Sequence, residues 1–438
     1  PGDTSLVDRL VALYEQAGNL PELVEMLEAQ AVQAQSAGEH RRAASLRQRM
    51  GDLYAGPLEQ PGKAMTMYRQ VLEGEPTYVP ARVALAGLYM RDATSAQLAI
   101  EEHRQILRLE PTRVESLHAL FRLWEGLKQS DKAFCVASVL HFLRSATDEE
   151  VAFYTEARNR VPHETQERLG LADVDAGVMH PAARGPLLEV MRAIGDQLSK
   201  LHPPQFELLG VDRKSDRLKS DHAVFKAIRS VAQVFGVEEF EVYQARRGLI
   251  SLETTEPLAV CVGQDVVRKF NVREQKFLIA RAVLGLLNKT AVLSKLSRGE
   301  TADLFGNSVR IFAPQFSALG RTNEDMVRSY RRAYSRKALK ALEPAALTLG
   351  PLEKVDLNGT VEAFSYSADR AGLLVCGDVA AGLQLLLRED PNFTASTRVE
   401  NAEPVLQALR ERTDLQQLLT YALSEDYLRL RQRLGLSL

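Results

Sequence analysis

Hydrophobic residues recur along the first third of the chain at three- and four-residue intervals between short polar links. This pattern predicts helices over 39–54, 60–74, 78–91, 95–109, 112–127 and 130–144. The links are too short for anything but antiparallel neighbours. An earlier pair, over about 4–17 and 20–36, carries Leu10, Tyr14, Leu23 and Leu27 in similar places and reads as a divergent or capping hairpin. Beyond 145 the period loosens. One more helix is expected over 148–160, then an irregular stretch to Pro186, then helices over 186–200 and 221–235, the second stopping at Gly236. Loops are expected at 202–204 and 210–220.

Two short runs rich in β-branched and aliphatic residues, 249–252 and 258–262, read as strands. Over 271–290 Asn271 can cap a helix with Glu274 reaching back to it. Phe277, Leu278, Ala280, Val283, Leu284 and Leu287 then fall so densely that nearly every face is apolar, which predicts a buried helix. Further helices are expected over 293–302, 304–316, 322–342 with Thr322 as cap, 361–376, 379–389, 401–412, 414–423 and 424–434. The fold class is therefore mainly α. It comprises an N-terminal α-solenoid of helical hairpins over 1–145, a helical linker region over 146–220, and a mostly helical α+β domain with a small sheet over 221–438.

The first third also repeats. Met50-Gly51-x-x-Tyr54, Ala64, Tyr68, Val71 and Pro76 align with Ala86-Gly87, Ala99, His103, Ile106 and Pro111, then with Leu120, Trp124, Ala133, Ala137 and Leu140. The small residue recurs at 64, 99 and 133, spacings of 35 and 34. This resembles the tetratricopeptide repeat, and the resemblance implies a concave groove lined by the first helix of each hairpin. The repeat phase places Gln48, Asp52, Ala84, Leu88, Arg91, His118 and Arg122 on that groove. They lack the Lys and Asn set with which some tetratricopeptide domains clamp a C-terminal carboxylate. They suit a helix or extended segment of a protein partner instead.

The second half carries another resemblance. Strand, strand, short amphipathic piece and buried helix are followed by Ser365-Tyr366-Ser367-Ala368-Asp369-Arg370-Ala371-Gly372-Leu373. That order is similar to the HtpX-like and CAAX-prenyl-protease-like zinc metallopeptidases, whose FxxxHExxH helix is followed by an ExxADxxG helix. Aligned on Phe277, the two histidine positions fall at Arg281 and Gly285, the general base at Ala282 and the ligand glutamate at Ser365. Zinc in that family needs two imidazoles at i and i+4 and a carboxylate, and none of these four residue types supplies them. None of the eight histidines lies beyond 222, and His163-Glu164-Thr165-Gln166-Glu167, which follows a proline, ends on Glu where a zinc motif needs His. The resemblance implies a degenerate, catalytically dead, pseudo-zincin-like domain with no metal and no cofactor.

Composition narrows the function classes. A net charge of −2 with 26% charged residues gives no global reason to expect nucleic acid or a membrane surface. Cys135, Cys261 and Cys376 are widely spaced in apolar surroundings, which suits buried thiols in a reducing compartment. The longest apolar runs are interrupted by Arg281 and Asp378, so no membrane span is expected, and no signal peptide is visible. A cytoplasmic location is the expectation, and an Arg- and Ala-rich bias points to a bacterial source. An opening Pro-Gly-Asp without Met suggests a piece cut from a longer protein.

One local charge feature stands out: Arg328, Arg331, Arg332, Arg336, Lys337 and Lys340 on the 322–342 stretch. A stretch this basic suits an acidic partner or nucleic acid, with no stacking platform beyond Tyr330 and Tyr334, and nucleic-acid or anionic-surface binding through it is one alternative function. Ser365, Tyr366 and Asp369 are close in sequence, but no His or Lys base stands beside them and no G-x-S-x-G occurs, so a hydrolase is the lesser alternative. The leading expectation is a non-enzymatic interaction protein, a scaffold or regulatory subunit.

Overall fold

Ala64, Ala99 and Ala133 have no exposed surface, and the small side chain at each lets a neighbouring helix come close. The computed structural model describes residues 13–14, 18–165, 167–388 and 402–438. Most of the helix expected over 4–17, including Leu10, lies outside these residues, as does Gln166. The fold is mainly α, 67% helical with 4% strand. The chain divides into two compact units, Pro1–Val136 and Ala137–Leu438.

In the first unit the helices are α1 (Leu20–Ser36), α2 (His40–Ala55), α3 (Pro61–Gly74), α4 (Val79–Tyr89), α5 (Ala96–Leu109), α6 (Val114–Gly126) and the start of α7 (Ser130–Phe142). Prolines in the first turn of α1, α3 and α4 cost nothing, because a first-turn N–H has no helical partner. The main packing runs between sequence neighbours, as in a stack of hairpins. Gly51 is required where α2 meets α3, since a Cβ there would lie 2.4 Å from the Tyr68 ring.

The second unit continues with α8 (Asp148–Arg160), α9 (Pro186–Ile194) and α10 (Ala223–Val234). Residues expected to form a linker are part of this unit's core: Leu187, Val190, Met191 and Ile194 of α9 are buried. A three-stranded sheet follows, with β1 (Glu241–Ala245), β2 (Ile250–Glu253) and β3 (Ala259–Gly263) in the order β1-β3-β2. β1 runs parallel to β3 and β2 antiparallel to it. The sequence pattern predicts only β2 and β3, and β1 is a strand beyond that expectation.

Then come α11 (Gln264–Lys269) and α12 (Val272–Leu287), the latter opened by the expected capping box. The Asn271 side chain accepts from the Glu274 N–H, and Glu274 Oε2 accepts from the Asn271 N–H at 2.8 Å. α13 (Arg298–Val309) starts later than expected, at a Ser297–Glu300 capping box, and a short 3-10 turn over 291–295 precedes it. Residues 310–316 form no helix. Instead the buried Arg310 guanidinium donates to the carbonyls of Phe316, Leu319, Gly320 and Arg321 and gathers that loop around itself.

The single helix expected over 322–342 is two, α14 (Glu324–Ala333) and α15 (Arg336–Leu349). Tyr334 takes an extended backbone, and Ser335 restarts the helix by accepting from the Ala338 N–H. The cap of α14 is Asn323, which accepts from the Met326 N–H, and not Thr322. α16 (Leu357–Cys376) begins four residues before the expected start, capped by Asp356, and ends at Gly377 in the left-handed conformation. α17 (Val379–Arg388), α18 (Ala402–Glu411), α19 (Thr413–Ala422) and α20 (Glu425–Arg433) complete the described residues. Among these, no helix is long and apolar enough to cross a membrane.

Two glycines, Gly372 on α16 and Gly382 on α17, let both helices pack closely on Phe277 of α12. A Cβ on Gly372 would sit 3.0 Å from the Phe277 ring, and one on Gly382 3.1 Å from it. A buried carboxylate holds the far end of α16. Asp378, with no exposed surface, accepts from Ser138 Oγ at 3.0 Å, Tyr154 OH at 3.2 Å and Arg158 Nε at 2.6 Å. It thereby ties α7 and α8 to the α16–α17 turn.

Candidate functional site

A cleft of about 360 Å³ opens between β2, α12, the turn after it, and α16. Its walls are Ile250, Ser251 and Leu252 from β2, Arg281, Leu284 and Gly285 from α12, and Val361, Phe364, Ser365 and Ala368 from α16. Asn288, Thr290, Ala291, Leu293 and Ser294 close one end. Three of the four positions aligned with catalytic residues, Arg281, Gly285 and Ser365, therefore converge on one space although α12 and α16 are far apart in sequence. Ala282 is half-buried and is not part of the wall.

The charge in this cleft is internally balanced. Arg281 Nε lies 3.0 Å from Asp369 Oδ1, and the guanidinium stands 5.9 Å from the Phe277 ring centroid. Asp369 is buried while Ser365, one turn earlier on α16, is exposed. At 285 the absence of a side chain is what admits β2, since a Cβ would lie 2.5 Å from Leu252 Cδ1. Among the described residues, no group of three or more His, Cys, Asp or Glu side chains is placed to hold a metal ion. His163 and Glu164 are exposed in a turn.

Behind β2 lies a polar cluster with no local sequence signal. Glu253 and Lys295 form a buried ion pair, and Glu253 also accepts from the Gln205 N–H at 2.7 Å. Burial and the neighbouring Glu253 push the Cys261 thiol up to about 12, so it stays protonated and inert at neutral pH. Arg192 secures the end of α12 in similar fashion, donating to Asn288 Oδ1 at 3.1 Å and to the Asp175 carboxylate.

The first unit distributes its expected groove residues unevenly. Gln48 Nε2 and Tyr68 OH both donate to Asp52 Oδ1, at 2.9 and 2.7 Å. Leu88, expected on the groove, is instead buried at 7% exposure in the helical core, with Ala84 packed against the same cluster. Its position on α4 satisfies core packing as well as it satisfies the repeat phase, and packing takes it. Arg91 and Arg122 are exposed, and Arg122 Nε donates to the His118 carbonyl at 3.4 Å. A separate concavity of about 520 Å³ lies between α1, α2 and α3, lined by Glu28, Val32, Arg47, Met50, Met67 and Glu73, and contains none of the seven expected residues.

Arg328, Arg331, Arg332, Arg336, Lys337 and Lys340 are all exposed, on two helices. Tyr330 and Tyr334 are buried and stack on each other at 5.8 Å, so neither is presented to a base. No protein-family model, curated protein or solved structure matches the chain.

Proposed function

We propose that this chain is a non-enzymatic interaction protein, a scaffold or regulatory subunit, whose second unit holds an extended segment of a partner protein in the cleft between β2, α12 and α16. The observation that carries this reading is the free edge of β2. The Gly263 N–H donates to the Leu249 carbonyl at 2.6 Å, which makes 249 and 263 a hydrogen-bonded pair of the antiparallel ladder. Pairs alternate along such a ladder, so Ile250 and Leu252 turn their N–H and C=O groups away from β3. Among the described residues no other backbone group bonds to them, and both residues border the cleft. An added strand would meet these groups, with Leu284, Leu293 and Phe364 available to an apolar side chain.

The same reading takes α12 and α16 as the frame of a degenerate zinc peptidase. Arginine cannot bind a metal, glycine and alanine have no donor, and serine is a poor zinc ligand, so Arg281, Ala282, Gly285 and Ser365 leave the frame without its chemistry. The hairpins of the first unit are read as tetratricopeptide-like, a second surface for a protein partner.

The test is selection of a phage-displayed peptide library on the purified chain, followed by hydrogen exchange. Selected peptides should protect the Ile250 and Leu252 amides. Binding should fail with Ile250→Pro, which removes one outward N–H at an edge position that tolerates proline. Peptides that bind this variant as tightly as the parent refute the cleft. Chelator-sensitive cleavage of casein by the parent chain refutes the non-enzymatic reading.

A further inference from the structure

Arg331 and Arg332 at the end of α14, and Arg336, Lys337 and Lys340 on α15, are exposed. Among the described residues none of the five makes an ion pair or a side-chain hydrogen bond. Arg328 differs, being engaged by Glu324 at 3.4 Å and Asp325 at 2.6 Å. Arg336 and Lys337 also occupy the first turn of a fourteen-residue helix, where the peptide dipoles disfavour cations. The fold therefore gains nothing electrostatically from placing charge there, and no internal anion satisfies it.

We propose that this exposed cationic run docks a short acidic segment of a partner protein, with Asp and Glu carboxylates of the partner taken by the forked guanidinium groups of Arg331, Arg332 and Arg336. Three observations select this class of partner. The cationic stretch is bracketed by exposed acids, Glu324 and Asp325 before it and Glu343 after it. In sequence the cations without an internal anion are thus confined to the short run 331–340, which matches a short acidic segment better than a long polyanion. The tyrosines of α14 and of the α14–α15 break are buried, which removes the stacking platform a single-stranded nucleic acid needs. The apolar side of α15, including Leu342 and Leu349, is packed into the protein, and Leu347 is the one large apolar side chain exposed on these two helices, too little to enter a membrane.

The experiment uses the whole chain and fluorescence anisotropy of a short labelled peptide of alternating Glu and Ala. Duplex DNA of equal charge and phosphatidylserine vesicles serve as the competing probes. The peptide should bind, with affinity falling as salt rises. The combined change Arg331→Gln, Arg332→Gln and Arg336→Gln should weaken it about tenfold, while Arg328→Gln should not. Lys337→Glu with Lys340→Glu is the second arm and should abolish binding while leaving the melting temperature unchanged or higher. DNA or vesicles bound as tightly as the peptide, no peptide binding, or a triple variant that binds like the parent would each overturn the proposal.

Discussion

Replacing Asp378 by alanine removes the acceptor of two buried hydroxyl donors, Ser138 and Tyr154, of the Arg158 guanidinium, and of the Ala381 N–H. Each hydroxyl bond contributes about 1 kcal/mol, and leaving its donor buried without an acceptor adds to the loss. Breaking a fully buried ion pair costs about 3–5 kcal/mol. Arg158 is 40% exposed and can turn to water, so the charged contribution belongs well below that range. The expected total for Asp378→Ala is about 3 kcal/mol. Asp378→Asn keeps an oxygen acceptor of nearly the same shape and loses only the charge, for about 1 kcal/mol. Urea unfolding followed by far-ultraviolet circular dichroism measures both. A loss under about 1 kcal/mol for the alanine variant, or equal losses for the two, would refute the view that this carboxylate fastens α16 to α7 and α8.

Two other expectations rest on comparably specific contacts. Burial, with Arg122 and Arg113 nearby, holds His103 down to about 4 from 6.5, so the folded first unit keeps it neutral while the unfolded chain protonates it. Stability should be flat above about pH 6.5 and fall between there and pH 4, by about 2 kcal/mol at pH 5, as read by Trp124 fluorescence in urea; a His103→Leu variant that keeps the slope would refute this. Gly372→Ala should cost about 1–3 kcal/mol, because its Cβ would meet the Phe277 ring and carbonyl at 3.0 Å, and a variant as stable as the parent would show that α12 and α16 can part freely.

Local signals in the sequence located most helices of this fold, and the misses have identifiable causes. The Asn271–Glu274 box and the apolar density after it are local, and they marked α12 correctly. β1 was missed because Glu241 and Gln244 interrupt its apolar run, while its burial depends on β3 beside it. The break between α14 and α15 was hidden because the exposed face stays polar across it, and only Ser335 acting as a cap reveals the restart. Asp378 stands between the helices expected over 361–376 and 379–389, and nothing local marks it as a buried tie. Its partners at 138, 154 and 158 lie more than two hundred positions away, where no local pattern can point to them. The convergence of Arg281, Gly285 and Ser365 was open to sequence reasoning only through resemblance, since nothing near Ser365 indicates what it will face.

The placement of the buried polar groups bears on how such a cleft would work. Glu253 with Lys295 lies behind β2, Arg192 holds the lining residue Asn288 at the end of α12, and Asp378 lies at the end of α16, so each wall is fastened by a polar contact of its own. Inside, the ion pair between wall residues and their helix neighbours is Arg281 with Asp369, and the remaining polar groups are small hydroxyls, the Asn288 amide and the outward backbone of β2. Fixed walls lower the ordering cost of association, and backbone groups recognise an extended chain with little regard to its side chains. On the proposed reading, affinity then comes from the strand edge and selectivity from which apolar side chain fits against Leu284, Leu293 and Phe364. Substitutions at Phe364 should accordingly change which peptides are selected, and substitutions along β2 whether any are.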